Sequence, residues 1–292
     1  MLKLQNNIKL APLTWFRVGG NAKNFVRVSS IEDIKSVFQQ FDDFFVIGNT
    51  SNLLISDDEI QPCIIKLGSA FSKIEQISET SFKVGTACLD STLAQIMQEK
   101  GISGMEFLAT IPGTIGGNIA MNAGCFGGEI FEILESIEII LQDGQIANIN
   151  KNAIPHSYRH AQLPKNSIIL SATINGVIST QAKVQETIKN FVQKRLEAQP
   201  SNVRTGGSTF TNPKSPNSNN RSAWQLIQEA NAHKFEVGGA KVSEKHSNFL
   251  INTGNATARD IFTLGETIRH AVFEKTGIQL EWEIKFLGDF QK

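Results

Sequence analysis

The chain has 292 residues and is 40% hydrophobic, which is long for one core and suits two domains, or a large domain with an appended lobe. Its 28 Lys and Arg balance 28 Asp and Glu, so no net field draws it to nucleic acid or an anionic membrane surface. Cys63, Cys88 and Cys125 are widely spaced and form no CxxC or Cys/His pattern, which argues against a disulfide framework or a zinc site.

The five histidines show no HExxH spacing, so no metal is expected. The opening MLKLQNNIKL lacks a continuous apolar run, and no stretch reaches the roughly 20 apolar residues of a spanning helix. A cytoplasmic location is the expectation.

In chain order, 25–28 reads as a strand and 31–40 as an amphipathic helix opened by a Ser-Ser pair. A buried strand at 44–47 runs into the polar turn 48–52 and the short apolar run 53–55. Strands are expected at 64–67 and 81–85, then a helix at 89–100 that stops at Gly101. A strand at 133–141 turns at Asp143-Gly144 into 145–149, and 167–175 supplies another. The helix 183–197 is the best domain boundary and leads to a Ser/Thr/Asn/Gly/Pro-rich loop over 202–221. Helix 224–232, strands 240–242 and 248–252, helix 257–276 and strand 278–287 complete the chain.

The most informative segment is 110–128, TIPGTIGGNIAMNAGCFGG, which is uncharged and carries six glycines. Each interior glycine costs about 0.5–1 kcal/mol relative to alanine, so the segment is expected to lie as bare backbone against a large polar-edged ring system rather than as a helix. The turn Gly48-Asn49-Thr50-Ser51-Asn52 follows a buried strand, and its N–H groups and hydroxyls suit a pyrophosphate nest. Tyr158-Arg159-His160 places a guanidinium in a loop, suited to two-point contact with a carboxylate or, equally, to a surface ion pair. In 206–213, GGSTFTNP, Ser208 follows two glycines but lacks the GxSxG arrangement of an acyl-transfer nucleophile. The segment 238–249, GGAKVSEKHSNF, packs cations and small residues beside a strand, as an anionic ligand or a solvated edge requires. Glu281 and Glu283 stand at i, i+2 and share one face of a strand.

Together, TWFRVGG (14–20), SNLL (51–54), IPGTIGGNIAMNAGCFGGE (111–129), YRH (158–160), GGSTFTNP (206–213), GGAKVSEKHSNF (238–249) and LEWEIKFLG (280–288) resemble the UDP-N-acetylenolpyruvoylglucosamine reductase family, in order from about residue 12 to 288. The spacing resembles the compact form that lacks an extra tyrosine-bearing loop. The turn at 48–50 is less glycine-rich than usual, Thr211 stands where lysine is common, and 214–221 reads as an insertion.

The resemblance implies an α+β fold. An α/β-like FAD-binding domain of the vanillyl-alcohol-oxidase/PCMH type in two lobes (1–60 and 61–182) would be joined to a smaller α+β substrate-binding domain (183–279), with a C-terminal strand (280–292) carrying a catalytic glutamate. It implies non-covalent FAD, NADPH as co-substrate, a sugar-nucleotide substrate, and a monomer binding neither nucleic acid nor membrane. Arg159 and Glu283 match the residues that stabilise the enolate, and Ser208 matches the proton donor. Gly48, Asn49, Thr50, Ser51, Asn52, Pro112, Gly113, Thr114, Gly116, Gly117, Asn122, Ala123 and Gly124 match the flavin cradle. Tyr158, Asn212, Lys241 and His246 match substrate contacts. The alternatives are an oxidase on the same flavin fold and a non-catalytic flavin or nucleotide-binding module.

Overall fold

Ser30 caps the helix Ile31–Gln40 by accepting from the Asp33 N–H, and the helix turns Ile34, Val37 and Phe38 into a core. This local agreement between pattern and structure recurs through the computed structural model, which describes residues 2–290 in two compact units.

The first unit holds the chain up to Gln5, Asn24–Asn49 and Pro62–Arg195. Its strands pair in parallel, with Phe44 aligned on Cys63 and Phe25 on Ile64, and Cys63, Ile64 and Ile65 of the middle strand are buried. Within this unit the order is the 24–28 part of the strand Asn21–Val28, then Cys63–Leu67, then Phe44–Ile47. A second, antiparallel sheet runs Ile146–Asn150, Leu134–Leu141, Ser167–Asn175, Ser81–Gly85, Ile74–Gln76. Its inward side chains pack on the helix Asp90–Lys100, which ends at Gly101 with φ 66°.

The second unit holds Asn6–Lys23, Thr50–Gln61 and the chain from Leu196 onward. The helix Ala258–Thr276 has a Thr257/Asp260 capping box and ends at Gly277. It packs on the three-stranded sheet Glu236–Val237, Ala240–Val242, Leu250–Asn252. The strand Lys285–Leu287 pairs in parallel with Leu53–Ile55. Trp282 lies flat on Phe262, and Gly265 admits it: a Cβ there would fall 2.0 Å from the indole.

The structure departs from the sequence expectations at identifiable places. Residues 115–121 are an α-helix, Ile115–Met121, not an extended wall; Thr114 caps it and Ile115, Asn118 and Ile119 are buried. Its Gly116 is demanded by contact rather than by backbone conformation, since a Cβ would meet Thr86 Cβ at 2.9 Å. The strand expected from 133 begins at Leu134, because Glu129 and Glu132 cap a helical turn, Ile130–Ile133. Of 278–287 only Lys285–Leu287 is strand; upstream, Phe210 and Trp282 form a single bridge. The helix expected at 224–232 is Ala223–Glu229 followed by the 3-10 turn Ala232–Lys234. The edge strands Leu4–Lys9 and Ile74–Gln76 carry too little apolar alternation to have been read.

Candidate active site

A cavity of about 250 Å³ opens in the first unit, at the C-terminal end of the strand Phe44–Ile47. Gly48 and Asn49 line it together with Thr114, Gly116 and Gly117, so the sequence-distant turns at 48 and 114 meet. The Asn49 amide donates to the Pro112 carbonyl at 2.9 Å, and the Thr114 hydroxyl accepts from the Gly117 N–H at 3.4 Å. Leu67, Leu163, Ile168 and Ile169 make the remaining wall apolar. The Thr86 hydroxyl donates to the Ile169 carbonyl at 2.6 Å. Lys66 also faces the cavity, and burial, then the nearby Arg27, push its pKa down.

An apolar slot edged by hydroxyls, an amide and side-chain-free backbone fits a dinucleotide with a flat ring system. The tight packing of Gly116 on Thr86 and Gly48 on Thr114 gives that wall its flatness. These residues therefore suit FAD. Thr86, Leu67, Leu163, Ile168 and Ile169 escaped sequence reading because small and aliphatic residues on strands carry no motif.

Pro112 and Gly113 stand behind this wall, and Asn122, Ala123 and Gly124 surround Arg159. The Asn122 amide donates to Glu129 Oε2 at 2.9 Å and to the Ser157 carbonyl at 3.1 Å, fixing Asn122 in the left-handed region at φ 41°. The Ala123 N–H donates to the Asn118 carbonyl at 2.9 Å. The Arg159 guanidinium donates to the Gly124 carbonyl at 2.6 Å and the Asn122 carbonyl at 3.4 Å, and lies 4.7 Å over the Tyr158 ring. Arg159 also has a positive φ of 59°, which for a non-glycine residue persists only where its surroundings impose it.

In the second unit the Thr50 hydroxyl donates to the Leu13 carbonyl at 2.6 Å, and Ser51 follows it. The Asn52 amide donates to the Glu283 carbonyl at 3.1 Å. Ser208 bridges to Phe249, and Phe210 to Trp282, while the Glu283 N–H donates to the Thr209 carbonyl at 2.8 Å. Ser208 and Glu283, far apart in sequence, thus stand on adjacent segments. Asn248 locks this register, donating to the Phe210 carbonyl at 2.8 Å and accepting from its N–H at 3.0 Å.

Asn212 accepts from the Ala223 N–H at 3.0 Å and so anchors the helix Ala223–Glu229. Lys241 pairs with Glu244 at 2.9 Å and borders a second cavity of about 340 Å³. His246 contacts Trp224 and Phe249 edge-on, and its Nδ1 accepts from the Asn248 N–H at 3.2 Å. Burial lowers its pKa. Among the described residues no cluster of His, Cys, Asp and Glu is arranged to hold a metal, and no helix is long and apolar enough to cross a membrane.

The comparisons with known proteins match both halves of the chain. A family model described as an FAD binding domain covers residues 22–150, and one described as the C-terminal domain of UDP-N-acetylenolpyruvoylglucosamine reductase covers 199–287. The protein of that name from Sphingopyxis alaskensis is 38% identical over 98% of this chain and 95% of its own length. That from Rickettsia massiliae is 42% identical over 97% and 95%. The crystal structure of the Thermus caldophilus UDP-N-acetylenolpyruvylglucosamine reductase superposes with a TM-score of 0.86 at 28% identity, over 99% of this chain and all of that one. With a flavin-fitting cavity in one unit and the Ser208 and Glu283 segments side by side in the other, these matches show that the chain belongs to the UDP-N-acetylenolpyruvoylglucosamine reductase family.

Proposed function

We propose that Arg159, Ser208 and Glu283 carry the chemistry by which this chain reduces UDP-N-acetylenolpyruvoylglucosamine, with FAD as its flavin and NADPH as reductant, in peptidoglycan precursor synthesis. When bound, FAD would supply the redox chemistry linking NADPH to C3 of the enolpyruvyl group. Negative charge then grows at C2 and spreads into the neighbouring carboxylate. Arg159 offers a permanent positive charge to that carboxylate, held ready by the Gly124 and Asn122 carbonyls, so little reorganisation accompanies the reaction. Ser208 gives its hydroxyl proton to C2; a carbon bearing enolate charge is basic enough to take it from a positioned alcohol. Glu283 faces the same developing charge and assists as a hydrogen-bonding carboxyl.

The observation that carries this reading is the register of the second unit, in which the Thr209 carbonyl and the Glu283 N–H bond at 2.8 Å and hold the Ser208 and Glu283 segments together. Gly48, Asn49, Thr114, Gly116 and Gly117 are read as the cradle for FAD, and Tyr158, Asn212, Lys241 and His246 as substrate contacts. The FAD-binding part is read as lobes 1–60 and 61–182, and the substrate-binding part as 183–279 with the strand-bearing end 280–292. A UDP-activated substrate supports a cytoplasmic location, the balanced charge argues against a nucleic-acid partner, and the monomer remains what the family resemblance implies.

Stopped-flow traces of the two half-reactions test the assignment of Ser208. Ser208→Ala should leave flavin content and reduction by NADPH intact. Reoxidation by the enolpyruvyl substrate should slow by about 10²–10⁴-fold, as loss of a general acid does, with substrate affinity little changed. A variant slowed equally in both halves would show Ser208 to be structural.

A further inference from the structure

Directly behind the cavity wall sits a carboxyl group that the chemistry above does not use. Asp90 is the first residue of the helix Asp90–Lys100 and is 0% exposed. Its neighbour Leu89 lines the cavity and bridges to Thr114, and the Asp90 N–H donates to the Gly113 carbonyl at 3.3 Å. Neither carboxyl oxygen has a hydrogen-bond partner, nor does the amide nitrogen of Asn118, also buried at 3% exposure. The two side chains converge on one point. A Cβ at Gly113 would lie 2.5 Å from Asp90 Oδ2 and 2.9 Å from Asn118 Oδ1, so two oxygens flank the same glycine.

A fully buried carboxyl with no ion pair is favoured in its neutral form. Among the described residues Asp90 has no ion pair, and the titratable groups that face it do not charge it. Cys88 is pushed up to about 11, mainly by burial, and Cys125 is raised by burial, with Thr110, Arg195 and Arg159 pulling it back. Glu106, on the turn packed against the helix, spends its carboxylate on Ser103 Oγ and the Gly104 N–H, both at 2.7 Å. Burial pushes the Asp90 carboxyl up to about 8; the Asn118 amide and the Gly113 N–H lie near it without reaching hydrogen-bond geometry and offset only part of that push.

We propose that Asp90 is a positioning residue for the flavin cradle: as a neutral acid it holds Gly113 and Asn118 together behind Thr114 and Gly117, and FAD is retained only while it stays neutral. The proposal rests on reading Thr114, Gly116 and Gly117 as the cradle. An ionised Asp90 would place a buried, uncompensated negative charge directly behind the wall that Leu89, Thr114 and Gly117 line. FAD binding is therefore coupled to one proton.

The test is release of FAD from the holoenzyme on dilution, read as flavin fluorescence from pH 6 to 9.5. The dissociation constant of the wild type should be flat at first and rise about tenfold per pH unit above about 8. Asp90→Asn, which is neutral and isosteric, should match the wild type at pH 6.5 and stay flat to 9.5. A flat wild type, or a slope that survives in Asp90→Asn, would overturn the proposal.

Carbon-13 labelling of the aspartate carboxyls in the wild-type holoenzyme gives a reading that does not depend on the variant folding. One resonance should remain that of a neutral acid at pH 7, and ionisation of every aspartate by pH 6 would overturn the proposal. Gly117→Ala separates the two readings. Affinity unchanged at every pH would remove the cradle and the proposal with it. Affinity lowered throughout, with the slope shared by wild type and Asp90→Asn, would keep the cradle and overturn the role of Asp90.

Discussion

Gly117→Ala separates what the glycines of 110–128 do for the fold from what they do for the flavin. The added methyl would lie 3.5 Å from Thr114 Oγ1, an ordinary contact, and meets nothing closer. Gly117 lies inside the helix Ile115–Met121, where alanine is better than glycine by about 0.5–1 kcal/mol. Free of FAD, the variant should therefore melt about 1–4 °C above the wild type. The same methyl projects from a residue that lines the 250 Å³ cavity. Displacing a planar ligand by even ~0.5–1 Å forfeits a quarter to a half of each dispersion contact along that wall. FAD should bind at least about tenfold more weakly, a loss of about 1.4 kcal/mol. Fluorescence titration of FAD and thermal melts of the stripped and loaded protein give both numbers. A variant that melts lower without FAD, or that binds FAD within twofold of wild type, would refute the assignment of this wall.

Asn248→Ala leaves the buried N–H and carbonyl of Phe210 without partners and should cost about 1–3 kcal/mol in urea unfolding, with the reoxidation half-reaction slowed through the loosened Ser208 segment. Acid or heat precipitation of the holoenzyme should release all of its yellow colour. Cys125 does not line the cavity and contacts the Thr110 hydroxyl at 3.2 Å, so colour kept by the pellet and lost in Cys125→Ala would contradict non-covalent binding. Burial pushes the thiols of Cys63 and Cys88 up to about 11, so native alkylation at pH 8 should spare both and denaturation should expose both, as mass spectrometry will read.

Features fixed by neighbours along the chain were legible in the sequence. The capped helix Ile31–Gln40, the Gly101 stop, the Asp143-Gly144 turn and the ordered motifs of the family each depend on a few consecutive residues. The glycine-rich segment was the instructive failure. Local propensity argues against a helix at Ile115–Met121, but Thr114 caps it, burial of Ile115 and Ile119 outweighs the glycine cost, and Gly116 is required by Thr86, thirty residues upstream.

Only the tertiary structure placed Gly48 against Thr114, Asp90 behind Gly113, and Glu283 beside Thr209, because each is a contact between segments that no local pattern encodes. The state of Asp90 is the clearest case. Its sequence neighbours mark it as an ordinary residue in the first turn of a helix, where negative charge is favoured. Burial without a partner decides that it is better neutral, and burial is a property of the fold.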